Sequence, residues 1–174
     1  MDTFFEQIVP IKKTPAQVLL QLLISLVGSV MIFIFMVGAL LGALAQLSIL
    51  LFPAACVTGY FAWKLLTGFN VEYEYSVTNG YIDIDKIIAQ RKRRRVLAAK
   101  VRDFEAFGAY DAKKFAERRF QTRIIAANAG AENIWYAEVR TEKTGHTLLV
   151  FEPDERILGA IKKDLPHLLA KAID

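Results

Sequence analysis

The chain has 174 residues, of which 54% are hydrophobic and 23% charged, with 22 basic and 18 acidic residues and a mean hydropathy of +0.30. A soluble globular domain has a comparable charged fraction but is seldom hydrophobic on balance. This composition excludes a disordered chain, a collagen, a disulfide scaffold and a simple cytosolic enzyme.

The first 15 residues contain a short amphipathic stretch. Phe4 and Phe5 stand close to Lys12 and Lys13 in this stretch. Aromatic and basic side chains together are typical of a segment that lies in the headgroup region of a membrane. We therefore predict that residues 1–15 form an N-terminal interfacial segment.

A long uncharged segment follows, because residues 14–63 contain no Asp, Glu, Lys or Arg. A helix of that length would extend about 75 Å, whereas a bilayer core needs about 20 residues per pass. Two passes fit, and we predict a transmembrane hairpin over 16–67 with helices at 17–41 and 47–66 and a tight turn at 42–46. The alternative is a signal peptide cleaved near Ala43-Leu44-Ala45, but the apolar run exceeds the roughly 7 to 15 residues of a signal.

The charged and aromatic residues that flank this hairpin predict its orientation. Lys12 and Lys13 precede the first helix, Lys64 ends the second, and the predicted turn has no positive charge. The positive-inside rule then places both termini in the cytoplasm of an integral membrane protein with two passes. Tyr60 and Trp63 lie beside Lys64, where an aromatic belt is expected.

Two pairs of small residues in the predicted hairpin are each four positions apart, namely Ser25 with Ser29 and Gly38 with Gly42. Such spacing lets two helix backbones approach closely. It indicates either a homodimer interface or packing between the two helices of one hairpin, and we favour the second because the pattern is common in apolar helices. No ionisable residue lies at mid-membrane depth, which argues against a transporter.

Residues 70–174 read as one cytoplasmic α+β domain. Strict alternation from Val71 to Val77, followed by Asn79-Gly80, predicts a β-hairpin. Apolar runs predict the other elements, which are strands at 81–85, 96–101, 123–127, 134–140 and 147–151 and helices at 111–119 and 154–173. Pro166 predicts a kink or a division of the last helix. The domain is thus a mostly antiparallel sheet covered by a C-terminal helix.

The strand 74–78, Glu-Tyr-Ser-Val-Thr, with Asn79-Gly80 and the return strand 81–84, Tyr-Ile-Asp-Ile, resembles the opening hairpin of bacterial PH-like domains. Those domains often follow a pair of transmembrane helices directly. The whole layout also resembles an uncharacterised family of small bacterial membrane proteins. The resemblance implies a PH-like sheet or barrel closed by a C-terminal helix, and a binding role without catalytic residues.

Residues that could carry catalysis or hold a metal are few. No phosphate-binding loop is present, and the candidates are scattered single residues, namely Cys56, Ser76, His146 and His167. Asp83 and Asp85 share a strand face and could bind a cation, but such a pair is more often a solvated face. We therefore predict no enzyme activity, no metal and no cofactor.

The run Arg91-Lys92-Arg93-Arg94-Arg95 is the most unusual feature of the domain. Near a membrane it could bind anionic lipid headgroups. The alternative, which we favour, is a solvated hairpin end neutralised by nearby acidic residues, at Asp83, Asp85, Asp103 and Glu105. Nucleic acid is not expected, because residues 70–174 hold 19 basic and 16 acidic residues and no aromatic-basic platform.

Phe104, Phe107 and Tyr110 could line a binding groove, although core packing is the commoner role of such residues. Taken together, these features predict a membrane-anchored, non-catalytic binding module that contacts a protein partner or anionic lipid, with a homodimer as a further candidate. The alternative function is an accessory subunit of a larger membrane complex that acts through its transmembrane hairpin.

Overall fold

The computed structural model describes residues 4–40 and 45–170. It divides into two compact units, one formed by the residues up to Ile11 and from Val71 onward, the other by Lys12 to Asn70. The second unit is therefore an insertion in the chain of the first.

The inserted unit contains helix α1 (Pro15–Leu40) and helix α2 (Ala45–Gly68). A reciprocal cap begins α1, because Thr14 Oγ1 accepts from Gln17 N–H at 3.3 Å and Gln17 Oε1 accepts from Thr14 N–H at 3.0 Å. Pro15 occupies the first helical position, where its missing N–H is not needed. Residues 42–44 of the predicted turn, Gly42 among them, lie outside the described residues.

Both helices are long and apolar enough to cross a membrane. Only 6% of the most apolar 18-residue stretch within Pro15–Leu40 is buried, and the same holds within Ile49–Gly68. The two helices pack closely at glycines, since a Cβ on Gly28 would lie 3.2 Å from Ala62 Cβ. Gln21 Nε2 also donates to the Leu66 carbonyl at 3.2 Å.

The folded domain contains two four-stranded sheets. The first sheet has the order β1-β2-β3-β4 and is antiparallel throughout, with strands Phe4–Pro10, Val71–Thr78, Tyr81–Ile88 and Lys92–Lys100. Asn79 and Gly80 form the tight turn between β2 and β3 with positive φ angles of 49° and 79°, as an Asn-Gly hairpin requires.

The second sheet has the order β5-β7-β8-β6, with strands Phe104–Ala109, Trp135–Thr141, Gly145–Phe151 and Thr122–Ile125. Its β6–β8 pair is parallel, and its other pairs are antiparallel. A short helix α3 (Ala112–Phe115) follows β5. Helices α4 (Glu155–Asp164) and α5 (His167–Ala170) end the described chain, divided before Pro166 as predicted.

Apolar residues of both sheets and of α4 form one core. Tyr75 lies at its centre, where its hydroxyl donates to the Ala126 carbonyl at 2.6 Å and accepts from Glu152 N–H at 3.4 Å. Its ring packs edge-on against Phe151 with centroids 5.7 Å apart. Burial raises the pKa of the Tyr75 phenol above its ordinary value. Tyr75 thus ties β2 of the first sheet to residues that follow β6 and β8 of the second.

The structure corrects the prediction for residues 1–15. Phe4–Pro10 is strand β1, which pairs along its whole length with β2. Gln7 fixes it to the far end of the chain, accepting from Asp154 N–H at 2.7 Å and donating to the Glu152 carbonyl at 3.0 Å. No local pattern indicates this pairing, because the helix pair separates the two strands in the chain.

Two further expectations need correction. The two sheets do not close into a barrel over the described residues, because β1, β4, β5 and β6 are sheet edges. The helix predicted over 111–119 is a single turn, which Asp111 caps and Phe115 anchors in a second buried cluster.

Candidate functional site

The basic run begins in the turn between β3 and β4 and continues into β4 itself. Ala89 and Gln90 form the turn with φ angles of 54°, a region that costs a non-glycine residue about 1 kcal/mol. The turn closes through Arg91 N–H, which donates to the Ile88 carbonyl at 3.1 Å. Five exposed basic side chains, Arg91 to Arg95, therefore follow a strained turn.

A β-bulge decides which way these side chains face. Leu97 pairs with Ile84 but Arg95 pairs with Asp85, so Val96 is an extra residue in β4. In a regular strand Arg95 would lie on the core face with Leu97, because side chains two residues apart share a face. The bulge instead places Arg93 and Arg95 on the outer face of the sheet, and Lys92 and Arg94 on the opposite face.

The outer face carries an ion-pair cluster, which consists of Arg93, Arg95, Glu74, Asp83 and Asp85. Arg93 contacts Glu74 directly and lies 3.5 Å from Asp85. Arg95 Nε lies 3.5 Å from Asp85 and 3.7 Å from Asp83. Since Glu74 and Asp85 are only 7% and 8% exposed, the two arginines neutralise buried carboxylates.

This cluster revises the prediction for Asp83 and Asp85. They share a face as predicted, and the side chains of Arg93 and Arg95 lie over that face and pair with them. No group of three or more potential metal ligands occurs in the part of the chain that the structure describes.

On its other side β4 borders a cavity of about 650 Å³, here called the β4–β6 cleft. Its walls are residues 94–98 of β4, Thr122 and Ile124 of β6, and residues 141–144 of the β7–β8 turn. Within the described residues β4 pairs only with β3 and β6 only with β8, so two sheet edges face one cavity. Neither Lys92 nor Arg94 forms an ion pair with any described carboxylate.

A second polar cluster, not predicted from the sequence, lies around Glu138 of β7. Arg118 holds this carboxylate with both terminal nitrogens, one at 2.8 Å, and Glu138 is only 3% exposed. His146 Nε2 lies 3.5 Å from both Glu138 and Glu105, and Phe120 packs 5.0 Å from the imidazole ring. The adjacent β7–β8 strands were predicted, but Arg118 reaches Glu138 from a loop that no local pattern could place.

The aromatic residues proposed as a groove are part of the core. Phe104 and Phe107 are buried and stack on one another with centroids 6.0 Å apart. Tyr110 stacks on Phe115 at 5.5 Å in the second cluster. The favoured interpretation, core packing, is therefore the one observed.

The small residues of α1 divide into two groups. A Cβ on Gly38 would lie 3.2 Å from Leu51 of α2, so Gly38 faces the partner helix of the same hairpin. Ser25 and Ser29 are exposed. The structure thus brings Gly38 into the helix–helix contact and leaves the two serines on the surface of the pair.

The chain is thus a two-sheet α+β domain with an apolar helix pair inserted in its sequence and a basic sheet edge beside an open cleft. The family model described as "Bacterial PH-like domain (DUF6106)" matches residues 1–171. The chain belongs to this family, as its opening hairpin indicated, and the match includes the helix pair. Neither the comparison with curated proteins nor the comparison with solved structures gave a match.

Proposed function

We propose that this protein is a membrane-anchored, non-catalytic binding module, whose PH-like domain holds a protein partner with an acidic segment at the cytoplasmic face of the membrane. The observation that carries the proposal is the division of the basic run by the bulge at Val96. Arg93 and Arg95 form ion pairs with internal carboxylates, whereas Arg94, which has no ion pair with a described carboxylate, lines an open cleft.

Exposure of the helix pair supports a membrane anchor. A core helix of a soluble protein is mostly buried, but only 6% of the most apolar part of α1 and of α2 is buried. Large exposed apolar surfaces are not tolerated in water and are expected in lipid.

The pairing of β1 with β2 supports two passes. These strands are hydrogen-bonded to one another, so they lie on the same side of any membrane. The chain between them must then cross an even number of times, and α1 with α2 gives two crossings. Lys12, Lys13 and Lys64 at the membrane ends favour the cytoplasmic side.

The same pairing supports an uncleaved anchor. Cleavage near Ala43-Leu44-Ala45 would remove β1 from the domain. That loss would expose the β2 edge and remove Val9, which is 6% exposed, from the core. The folded domain therefore needs the segment that a signal peptidase would discard.

Charge favours a protein partner over a flat lipid surface. The cavity on the outer face is lined by four carboxylates, at Glu6, Glu74, Asp83 and Asp85, against the two arginines 93 and 95. This face would repel anionic headgroups. The cationic excess lies at the cleft instead, where a narrow acidic segment can approach more closely than a bilayer.

Photo-cross-linking in membranes tests this proposal. Benzoylphenylalanine in place of Glu142, which lines the cleft but is not one of its cations, should give discrete protein adducts of the full-length chain, and the same probe in place of exposed Arg102 should give none. Adducts to lipid alone, or the same adducts from both positions, would reject a protein partner at this surface.

A second candidate function, an accessory subunit acting through the helices, is favoured by the exposed Ser25 and Ser29. Small residues on an outward face allow another helix to approach. If this function holds, the protein should leave the membrane in mild detergent as part of a larger complex, and Ser25→Leu with Ser29→Leu should release it. A lone monomer or homodimer that both variants leave intact would count against this candidate.

A further inference from the structure

We propose that the β4–β6 cleft binds an acidic segment in extended conformation, which adds as a strand to the exposed sheet edge. The inference rests on the proposed function and specifies the partner's chemistry and its mode of binding. The first support is topological, because β4 and β6 are edges of different sheets and border the same cavity. Unpaired edge groups are a template for strand addition, in which main-chain hydrogen bonds supply affinity.

The lining of the cleft supports a strand that carries both apolar and acidic side chains on one face. Leu97 and Ile124, 2% and 9% exposed, give the cavity an apolar floor. Arg94 and Lys143 stand at its walls. Arg94 shares a face of β4 with Leu97, because their partners in β3, Lys86 and Ile84, are two residues apart. An extended segment added beside β4 therefore meets both surfaces when apolar and acidic residues alternate along one of its faces.

Charge complementarity selects the acidic partner. Among the residues that line the cleft, Arg94, Arg95 and Lys143 are cationic and Glu142 is the sole acid. Arg95 already pairs with Asp83 and Asp85, so Arg94 and Lys143 are the cations left to recognise a ligand. Basic residues on an edge strand also repel basic strands, so the same side chains that recognise the ligand restrict unwanted pairing.

The size of the cleft fits a short segment. Its volume of about 650 Å³ lies within the range of roughly 300 to 1,000 Å³ usual for ligand sites. A segment of a few residues fills such a space, whereas a folded protein surface or a bilayer cannot enter it.

The test uses the full-length chain in mild detergent and a fluorescein-labelled seven-residue peptide, Val-Thr-Glu-Thr-Val-Thr-Glu, which carries valine and glutamate on one face when extended. Fluorescence anisotropy should show saturable binding that weakens with added salt. Arg94→Gln and, separately, Lys143→Gln should each weaken binding at least about fivefold, the range of one charge-assisted contact. Arg102→Gln, which removes an equal charge outside the cleft, should leave binding unchanged.

Two control peptides separate strand addition from simple charge attraction. A peptide with lysine in place of glutamate should not bind. A peptide with the same side chains but alternate N-methylated amides should lose binding, because it cannot donate to a sheet edge.

Equal binding of the N-methylated peptide, or equal weakening by Arg94→Gln and Arg102→Gln, would overturn this inference. Protein adducts at position 142 together with no peptide binding would also overturn it while leaving the proposed function standing. Peptide binding with the expected variant pattern but no protein adduct in membranes would count against the proposed function alone.

Discussion

The helix pair and the folded domain use the same apolar side chains in opposite ways. On α1, Leu22, Leu26 and Phe33 are 62%, 63% and 68% exposed, whereas Ile82 and Ile84 of β3 are fully buried. The domain supplies its own apolar environment, and the helices need one from outside. The comparison teaches that apolar side chains stabilise the domain from within, whereas on the helix pair they form a surface, although the helix pair is an insertion in the chain of the domain.

The largest expected effect is the loss of stability of the domain when its first strand, β1, is deleted. Deleting residues 4–10 should destabilise the domain by several kcal/mol, because Val9 leaves the core and the Gln7 contacts to the α4 end are lost. Limited proteolysis of the full-length variant in detergent should then cleave within 71–170.

The matched control for that deletion is excision of the helix pair. Ile11 N–H donates to the Val71 carbonyl at 2.9 Å, so the ends of β1 and β2 are adjacent. Replacing residues 12–70 with Asn-Gly should close a two-residue hairpin and give a water-soluble, cooperatively folded domain. An excised domain that aggregates or lacks a thermal transition would show that the units are not independent.

A change in the helix pair should weaken the helix packing and leave the stability of the domain unchanged. Gly28→Leu should destabilise the packing of α1 on α2 by about 1 to 3 kcal/mol, because even a Cβ at this position would lie 3.2 Å from Ala62 Cβ. Thermal aggregation in detergent measures this loss, and exposed Ser29→Leu serves as control. The unfolding temperature of the domain should stay unchanged in both variants, and a parallel fall would contradict the separation of the units.

Within the domain, Tyr75→Phe should cost about 1 to 3 kcal/mol, because a buried carbonyl, that of Ala126, loses its donor. Tyr81→Phe, at an exposed position, should cost little. Chemical denaturation of both variants measures the difference.

The same substitution should also change the response to alkali. The folded-state pKa of Tyr75 is raised above 10, so its contribution to stability is complete below pH 10 and lost as the pH rises further. The Tyr75→Phe domain should therefore lose stability less steeply above pH 10, and identical slopes would contradict this.

The smallest effect concerns the start of α4. Asp154 accepts from Ile157 N–H at 2.8 Å, and Asp154→Ala should cost about 0.5 to 2 kcal/mol. Burial raises the pKa of Asp154, but hydrogen bonds from Ile157 and Arg156 outweigh it and leave the pKa below 3.8. Its carboxylate thus stabilises the fold above about pH 4, and this contribution is lost on acidification. Asp154→Asn should keep the cap and flatten the acid dependence of the unfolding temperature.

Local patterns were sufficient to predict much of the domain. The alternation of β2, the Asn-Gly turn and the spacing of α4 each depend on neighbouring residues, so the sequence displays them directly. The uncharged segment predicted two helices for the same reason.

What the sequence could not show depends on distant partners. Strand β1 is recognisable only beside β2, and β5, broken by a register shift between Phe104 and Ala106, has no clean alternation. The start of β4 was missed because five cations in a row suggest a solvated loop, whereas carboxylates of β2 and β3 stabilise them in a strand. The candidate site is therefore set by a bulge that no local pattern predicts.

The insertion of the helix pair between β1 and β2 imposes an order on how the protein is made. The ribosome completes β1 first, but its partner emerges only after both helices have been synthesised, several seconds later at about 5 to 20 residues per second. The first strand must therefore stay unpaired while the helix pair is being synthesised, and the first sheet can assemble only after both helices have left the ribosome. A folded first sheet is thus a sign that synthesis of the helix pair is complete.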